Sequence, residues 1–103
     1  MKLKYLRTKY ELSQLDLVEY LEMDQKTYHN IENGLTRRCR KDTLIKLAFL
    51  YDVSLDYLLG ITNEKKHFPK DKYQQVIKEY NINQYLVKKL RTEKTLKEKS
   101  PIT

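Results

Sequence analysis

Residues 13–34 read Ser13-Gln14-Leu15-Asp16-Leu17-Val18-Glu19-Tyr20-Leu21-Glu22-Met23-Asp24-Gln25-Lys26-Thr27-Tyr28-His29-Asn30-Ile31-Glu32-Asn33-Gly34. They spell two capped helices with a very short connection. Ser13 is an N-cap with Asp16 three residues on as the acidic partner of a capping box, and Leu12 and Leu17 flank it as a hydrophobic staple. Leu17, Val18 and Leu21 form the apolar face. Glu22-Met23 is the connection, Asp24 caps a second helix running to Asn33, and Gly34 suits the left-handed residue after a helix end. At about 100° per residue, Tyr28, Ile31 and Glu32 share one side of this second helix. Gln25, Lys26, His29, Asn30 and Asn33 share the other. Amides, an imidazole and an ammonium are the groups that hydrogen-bond base edges, and a short helix after a tight turn fits a major groove. The plain alternative is a solvated polar face.

Glu32 weighs against that alternative. A carboxylate on a helix laid against phosphates needs a cation to neutralise it, and Arg7 on a preceding helix is the candidate for a bidentate pair. That preceding helix carries Leu3, Leu6 and Tyr10 at helical spacing. On the other flank, Leu44, Ile45, Leu47, Ala48 and Tyr51 describe a buried helix, and Ser54 caps another, with Val53 and Leu58 as its staple and Gly60 as its stop. The chain to Gly60 is therefore five short helices. Tyr5, Tyr10, Tyr20, Tyr51 and Tyr57 fall at core or core-edge positions.

Length and composition agree with this. In 103 residues, 40% are hydrophobic and 34% charged, with 2 Gly and 2 Pro, which suits one small, mostly helical domain with an appendage. No apolar run approaches the ~18 residues of a membrane span. The single cysteine, Cys39, excludes an internal disulfide framework, and the expected location is cytoplasmic, at the nucleoid. His29, Cys39 and His67 lack metal-ligand spacing, so neither metal nor cofactor is expected. Nothing forms a phosphate loop, a nucleophile elbow or a paired catalytic carboxylate, so the chain is not expected to be an enzyme. Of the formal net charge of +7, residues 1–60 contribute +1 and residues 61–103 contribute +6. Within the first part the positive charge crowds into Arg37, Arg38, Arg40 and Lys41.

Three strings, Leu12-Ser13-Gln14, Ile31-Glu32-Asn33-Gly34 and Val53-Ser54-Leu55-Asp56-Tyr57-Leu58-Leu59-Gly60, resemble in order and register the Xre/Cro-type helix-turn-helix family of phage and bacterial repressors. The resemblance covers about residues 3–60. It implies an all-α, five-helix, lambda-repressor-like DNA-binding domain, followed here by a short helical C-terminal extension. Carried over by position, it implies that Gln25, Lys26, His29 and Asn30 read bases. It implies that Gln14, Thr27, Asn33, Arg37, Arg38 and Arg40 meet phosphates or the minor groove, and that Arg7 and Glu32 form a structural ion pair. Glu22 departs from the pattern, standing where the family turn usually has glycine. No Ser or Pro opens the fourth helix, leaving Asp42 to cap it or to favour its first turn.

The expected domains are 1–62 for DNA binding, 63–70 as a linker ending near Pro69, 71–98 as the helical extension and 99–103 as a disordered tail, with the last ten residues frayed. In the extension, Tyr73, Val76, Ile77 and Tyr80 form one apolar stripe. Asn83 caps a further helix bearing Leu86 and Leu90. These stripes are too short for an independent core and must bury on the first domain, on a second copy or on a foreign partner. Self-association is the favoured expectation, which makes the six apolar residues candidates for oligomerisation. The leading function is a dimeric, sequence-specific regulator of transcription acting on double-stranded DNA, most naturally a repressor on a near-palindromic operator. The other is an antitoxin-like or adaptor protein whose C-terminal helices bind a partner protein.

Overall fold

The computed structural model describes residues 1–36 and 40–99, with side chains to Arg91. Seven helices and no strand occur among the described residues: α1 (Leu3–Lys9), α2 (Gln14–Leu21), α3 (Gln25–Glu32), α4 (Lys41–Tyr51), α5 (Leu55–Leu59), α6 (Gln74–Glu79) and α7 (Gln84–Lys99). Local chemistry accounts for most boundaries. Ser13 accepts from the Asp16 N–H while the Asp16 carboxylate accepts from the Ser13 N–H, the complete capping box. The caps of α3, α5 and α7 are likewise side-chain oxygens: Asp24 accepts from the Thr27 N–H, Ser54 from the Tyr57 N–H and Asn83 from the Leu86 N–H. Asp42 does not cap α4. Arg40 holds the N-cap position without a side-chain bond, and Asp42 lies in the first turn, where a carboxylate complements the helix dipole.

The connection between α2 and α3 is tight because Glu22 takes the left-handed conformation (φ 55°, ψ 47°). A residue with a Cβ is strained there by about 1–2 kcal/mol. The turn is thus made in the usual geometry without the glycine that makes it cheap.

The core is centred on α4, where Ile45, Leu47 and Ala48 are wholly buried and Leu50 and Tyr51 nearly so. Leu3 and Leu6 of α1, Leu17 of α2, Tyr28 and Ile31 of α3 and Leu58 of α5 join the same cluster. Tyr20 donates from its hydroxyl to the Lys46 carbonyl at 2.7 Å, and burial pushes its ionisation far up. Tyr5, placed at a core-like position by its spacing, is instead exposed.

The extension packs back onto the domain. Ile77, Ile82, Val87 and Leu90 are buried in the common core, and Tyr73, Val76, Tyr80 and Leu86 lie partly buried against it. Within one chain, the deepest residues of the extension are thus covered by the first domain, one of the three burials that the isolated stripe allows. The physical reason lies in residues 61–73. Asp52, left-handed at the end of α4, accepts from the Phe68 N–H at 3.2 Å and lies 2.7 Å from Nδ1 of His67. The Ser54 N–H donates to the Lys66 carbonyl. Phe68, only 3% exposed, stands edge-on to Phe49 and tilts against Tyr73. The 63–70 segment therefore contains an anchor that folds the chain back. Arg91 completes the attachment by donating to the Leu50 carbonyl at 2.7 Å and to the Phe49 carbonyl. Both are carbonyls at the C-terminal end of α4, where a helix lacks internal donors and favours a cation. The backbone of α7 continues as helix to Lys99, beyond the point where fraying is expected.

Candidate nucleic-acid interface

α3 divides as its spacing predicts. Tyr28 and Ile31 are buried, whereas Gln25, Lys26, Thr27, His29 and Asn33 are exposed and Asn30 is half-buried. The Glu32 side chain turns inward at 1% exposure, against 15% for Arg7. The Arg7 guanidinium meets it in a fork, Nε to Oε1 at 2.7 Å and Nη2 to Oε2 at 3.3 Å, and its third donor reaches the Leu12 carbonyl at 2.8 Å. Hydrogen bonding to Glu32 is the main reason that the Arg7 ionisation is raised further above its ordinary value. A buried carboxylate at the base of an otherwise polar helix is thus neutralised, and α1 is clamped to α3 across 25 residues of sequence.

Gln14 joins this clamp. Its Nε2 donates to Oε2 of Glu32 and lies 3.4 Å from Nδ1 of His29. Asn33 donates from Nδ2 to the His29 carbonyl at 2.8 Å, with the same nitrogen 3.3 Å from Nδ1 of the ring. The family resemblance assigns Gln14 and Asn33 to phosphates, and the bonds of Gln14 go unseen in sequence because partners 15 and 18 residues apart leave no mark on helical periodicity. Thr27 is likewise engaged: its N–H donates to the Asp24 carboxylate at 2.8 Å, and Thr27, through its side chain first and its N–H second, holds that carboxylate below the usual range.

Arg40 is exposed, with Nε 3.5 Å from Asp42. Arg37, Arg38 and Cys39 lie outside the described residues. The candidates for oligomerisation divide differently: Ile77 and Leu90 are committed to the core, and Tyr73, Val76, Tyr80 and Leu86 are partly covered by their own chain. Among the described residues no group of three or more His, Cys, Asp or Glu could hold a metal, and no helix is long and apolar enough to cross a membrane.

Two tightly connected helices, the second presenting amides, an ammonium and an imidazole and clamped from behind by a buried ion pair, define the helix-turn-helix class. The helix-turn-helix family model matches residues 3–58, and the chain belongs to this family, in its Xre/Cro-type branch. The chain is 35% identical over 63 residues to the uncharacterized HTH-type transcriptional regulator YobD of Bacillus subtilis (strain 168), a match covering 61% of this chain and 55% of that protein. The chain thus spans little more than half the length of that relative. No solved structure matches it.

Proposed function

We propose that the protein is a sequence-specific regulator of transcription that inserts α3 into the major groove of double-stranded DNA and acts as a homodimer, most simply as a repressor. The observation that carries this reading is the outward face of α3. Gln25, Lys26 and His29 stand exposed on a helix whose one carboxylate is buried and paired. Gln and Asn pair with adenine and Lys with guanine, so Gln25, Lys26, His29 and Asn30 are the base readers. Lys26 and the exposed Arg40, with Arg37 and Arg38, would supply attraction for the backbone, and the +6 carried by residues 61–103 adds to it. Thr27, Gln14 and Asn33 flank the readers, the last two through the network with His29.

Two copies of α3 about 34 Å apart would read a near-palindromic site, and occupancy of a promoter would block polymerase without any chemistry. The half-covered Val76, Tyr80 and Leu86, beside the exposed Tyr85, remain for pairing of the two copies. The adaptor reading would have to use the same half-covered residues, since the deepest apolar residues of the extension are already covered by their own chain.

Selection of bound duplexes from a random pool tests the proposal. The expected result is a two-fold-related site with half-sites one helical turn apart, together with a dimer mass by light scattering on the full chain. Recovery of no preferred sequence would refute it.

A further inference from the structure

The network behind α3 constrains which ring nitrogen of His29 carries the proton. Gln14 has one amide nitrogen with two hydrogens. Its orientation is decided by Glu32, because a carboxylate only accepts, so the atom bonded to Oε2 is Nε2. The same nitrogen, with a second hydrogen to give, lies 3.4 Å from Nδ1 of His29. Asn33 is oriented in the same way: its Nδ2 donates to the His29 carbonyl, and from there it lies nearer to Nδ1 (3.3 Å) than to Nε2 (3.5 Å). An amide nitrogen has no lone pair to receive a proton, so of the two neutral tautomers the one with Nδ1 bare lets Gln14 donate to it, and that tautomer carries its hydrogen on Nε2.

The other histidine supplies the opposite case. Nδ1 of His67 lies 2.7 Å from a carboxylate oxygen of Asp52, which can only accept, so this Nδ1 must carry a proton.

We infer that Gln14 is a positioning residue for recognition: it holds His29 with Nδ1 bare and Nε2 protonated, so that position 29 offers DNA one hydrogen-bond donor. This rests on α3 being the base-reading helix. A lone donor selects acceptor edges, namely guanine O6 or N7, adenine N7 or thymine O4, and rejects the amino edge of cytosine. Gln14 thus acts on specificity through His29, without itself touching a base.

Long-range proton–nitrogen NMR of the imidazoles in the full chain at pH 8.5, free of DNA, tests this. The expected spectrum shows His29 bare at Nδ1 and His67 protonated at Nδ1, opposite tautomers in one molecule. In Gln14→Met, with the remaining α3 resonances in place, His29 should revert toward a mixed population while His67 stays unchanged. With the selected duplex, discrimination among the four bases facing His29 should fall about fivefold or more in that variant. A wild-type His29 that is mixed or protonated at Nδ1, or a Gln14→Met spectrum identical to wild type, overturns the inference. Should Gln14→Met not fold, Asn33→Ala decides: with Gln14 in place His29 should stay bare at Nδ1, and a mixed population there overturns the role of Gln14. A duplex that leaves His29 unshifted overturns the base-edge half while the tautomer stands, so failure of the DNA reading is told apart from failure of the role of Gln14.

Discussion

α3 and α4 are consecutive helices held in the same domain by different forces. α4 buries eight of its eleven residues, Ile45, Leu47 and Ala48 among them, and its place is set by apolar packing on all sides. α3 buries only Tyr28 and Ile31 of its eight. What remains of its attachment is polar: the Arg7–Glu32 fork, the Gln14 bond to the same carboxylate and the Asp24 cap. Apolar packing is strong but consumes surface, whereas a single buried carboxylate with three donors fixes a helix while leaving the opposite face free. A helix meant to touch a ligand is better held in the second way, and the difference between the two can be broken experimentally.

The largest effect is expected in α4. Leu47→Ala leaves a cavity at a wholly buried site and should cost about 2–5 kcal/mol in denaturant unfolding. Glu32→Ala should cost about 2–4 kcal/mol, because Arg7 and Gln14 lose their acceptor while partly buried, and DNA affinity should fall with it. Retention of full stability in that variant would mean that α3 is held by Tyr28 and Ile31 alone.

Gln25→Ala should leave stability within about 0.5 kcal/mol. On the preferred duplex it should cost about 1–3 kcal/mol and relax specificity at one position. An equal loss on random DNA would remove Gln25 from the base readers. Glu22→Gly should stabilise the turn before α3 by about 1 kcal/mol, since it relieves a side chain at φ 55° and gives up only a long 3.8 Å contact between Glu22 and Lys46.

The smallest effect concerns Asp24, fully exposed and held by Thr27 below the usual carboxylate range. Its folded value lies below its unfolded one, so its contribution is complete above the unfolded value and is lost as pH falls through the folded value. Melting temperature should therefore decline on acidification from about pH 5 to pH 3, and part of that slope should vanish in Asp24→Asn.

Much of the scaffold was legible beforehand because it rests on local rules. Ser13, Asp24, Ser54 and Asn83 announce helix starts through bonds to residues three positions on, and Gly34 and Gly60 adopt the positive φ expected after α3 and α5. The inward turn of Tyr28, Ile31 and Glu32 follows from 3.6-residue periodicity, and the Arg7 pairing from the cost of leaving a carboxylate unneutralised. Less was legible in the extension. Phe68 and Arg91 look, in sequence, like a linker aromatic and the fading end of a helix. Both act through contacts with α4, Arg91 at a separation of 41 residues from the carbonyl it caps.

The amino-acid order alone therefore settles what each residue owes to its neighbours within a turn or two: where helices begin and stop, which face is apolar, and that the exposed face of α3 is amide-rich. Only the tertiary structure decides where the stripe of the extension is buried, and that Gln14 stands between Glu32 and His29. Periodicity reports that a face must be covered but carries no information about which surface covers it. Hydrogen bonds between residues far apart in the chain exist only once the core has brought their helices together.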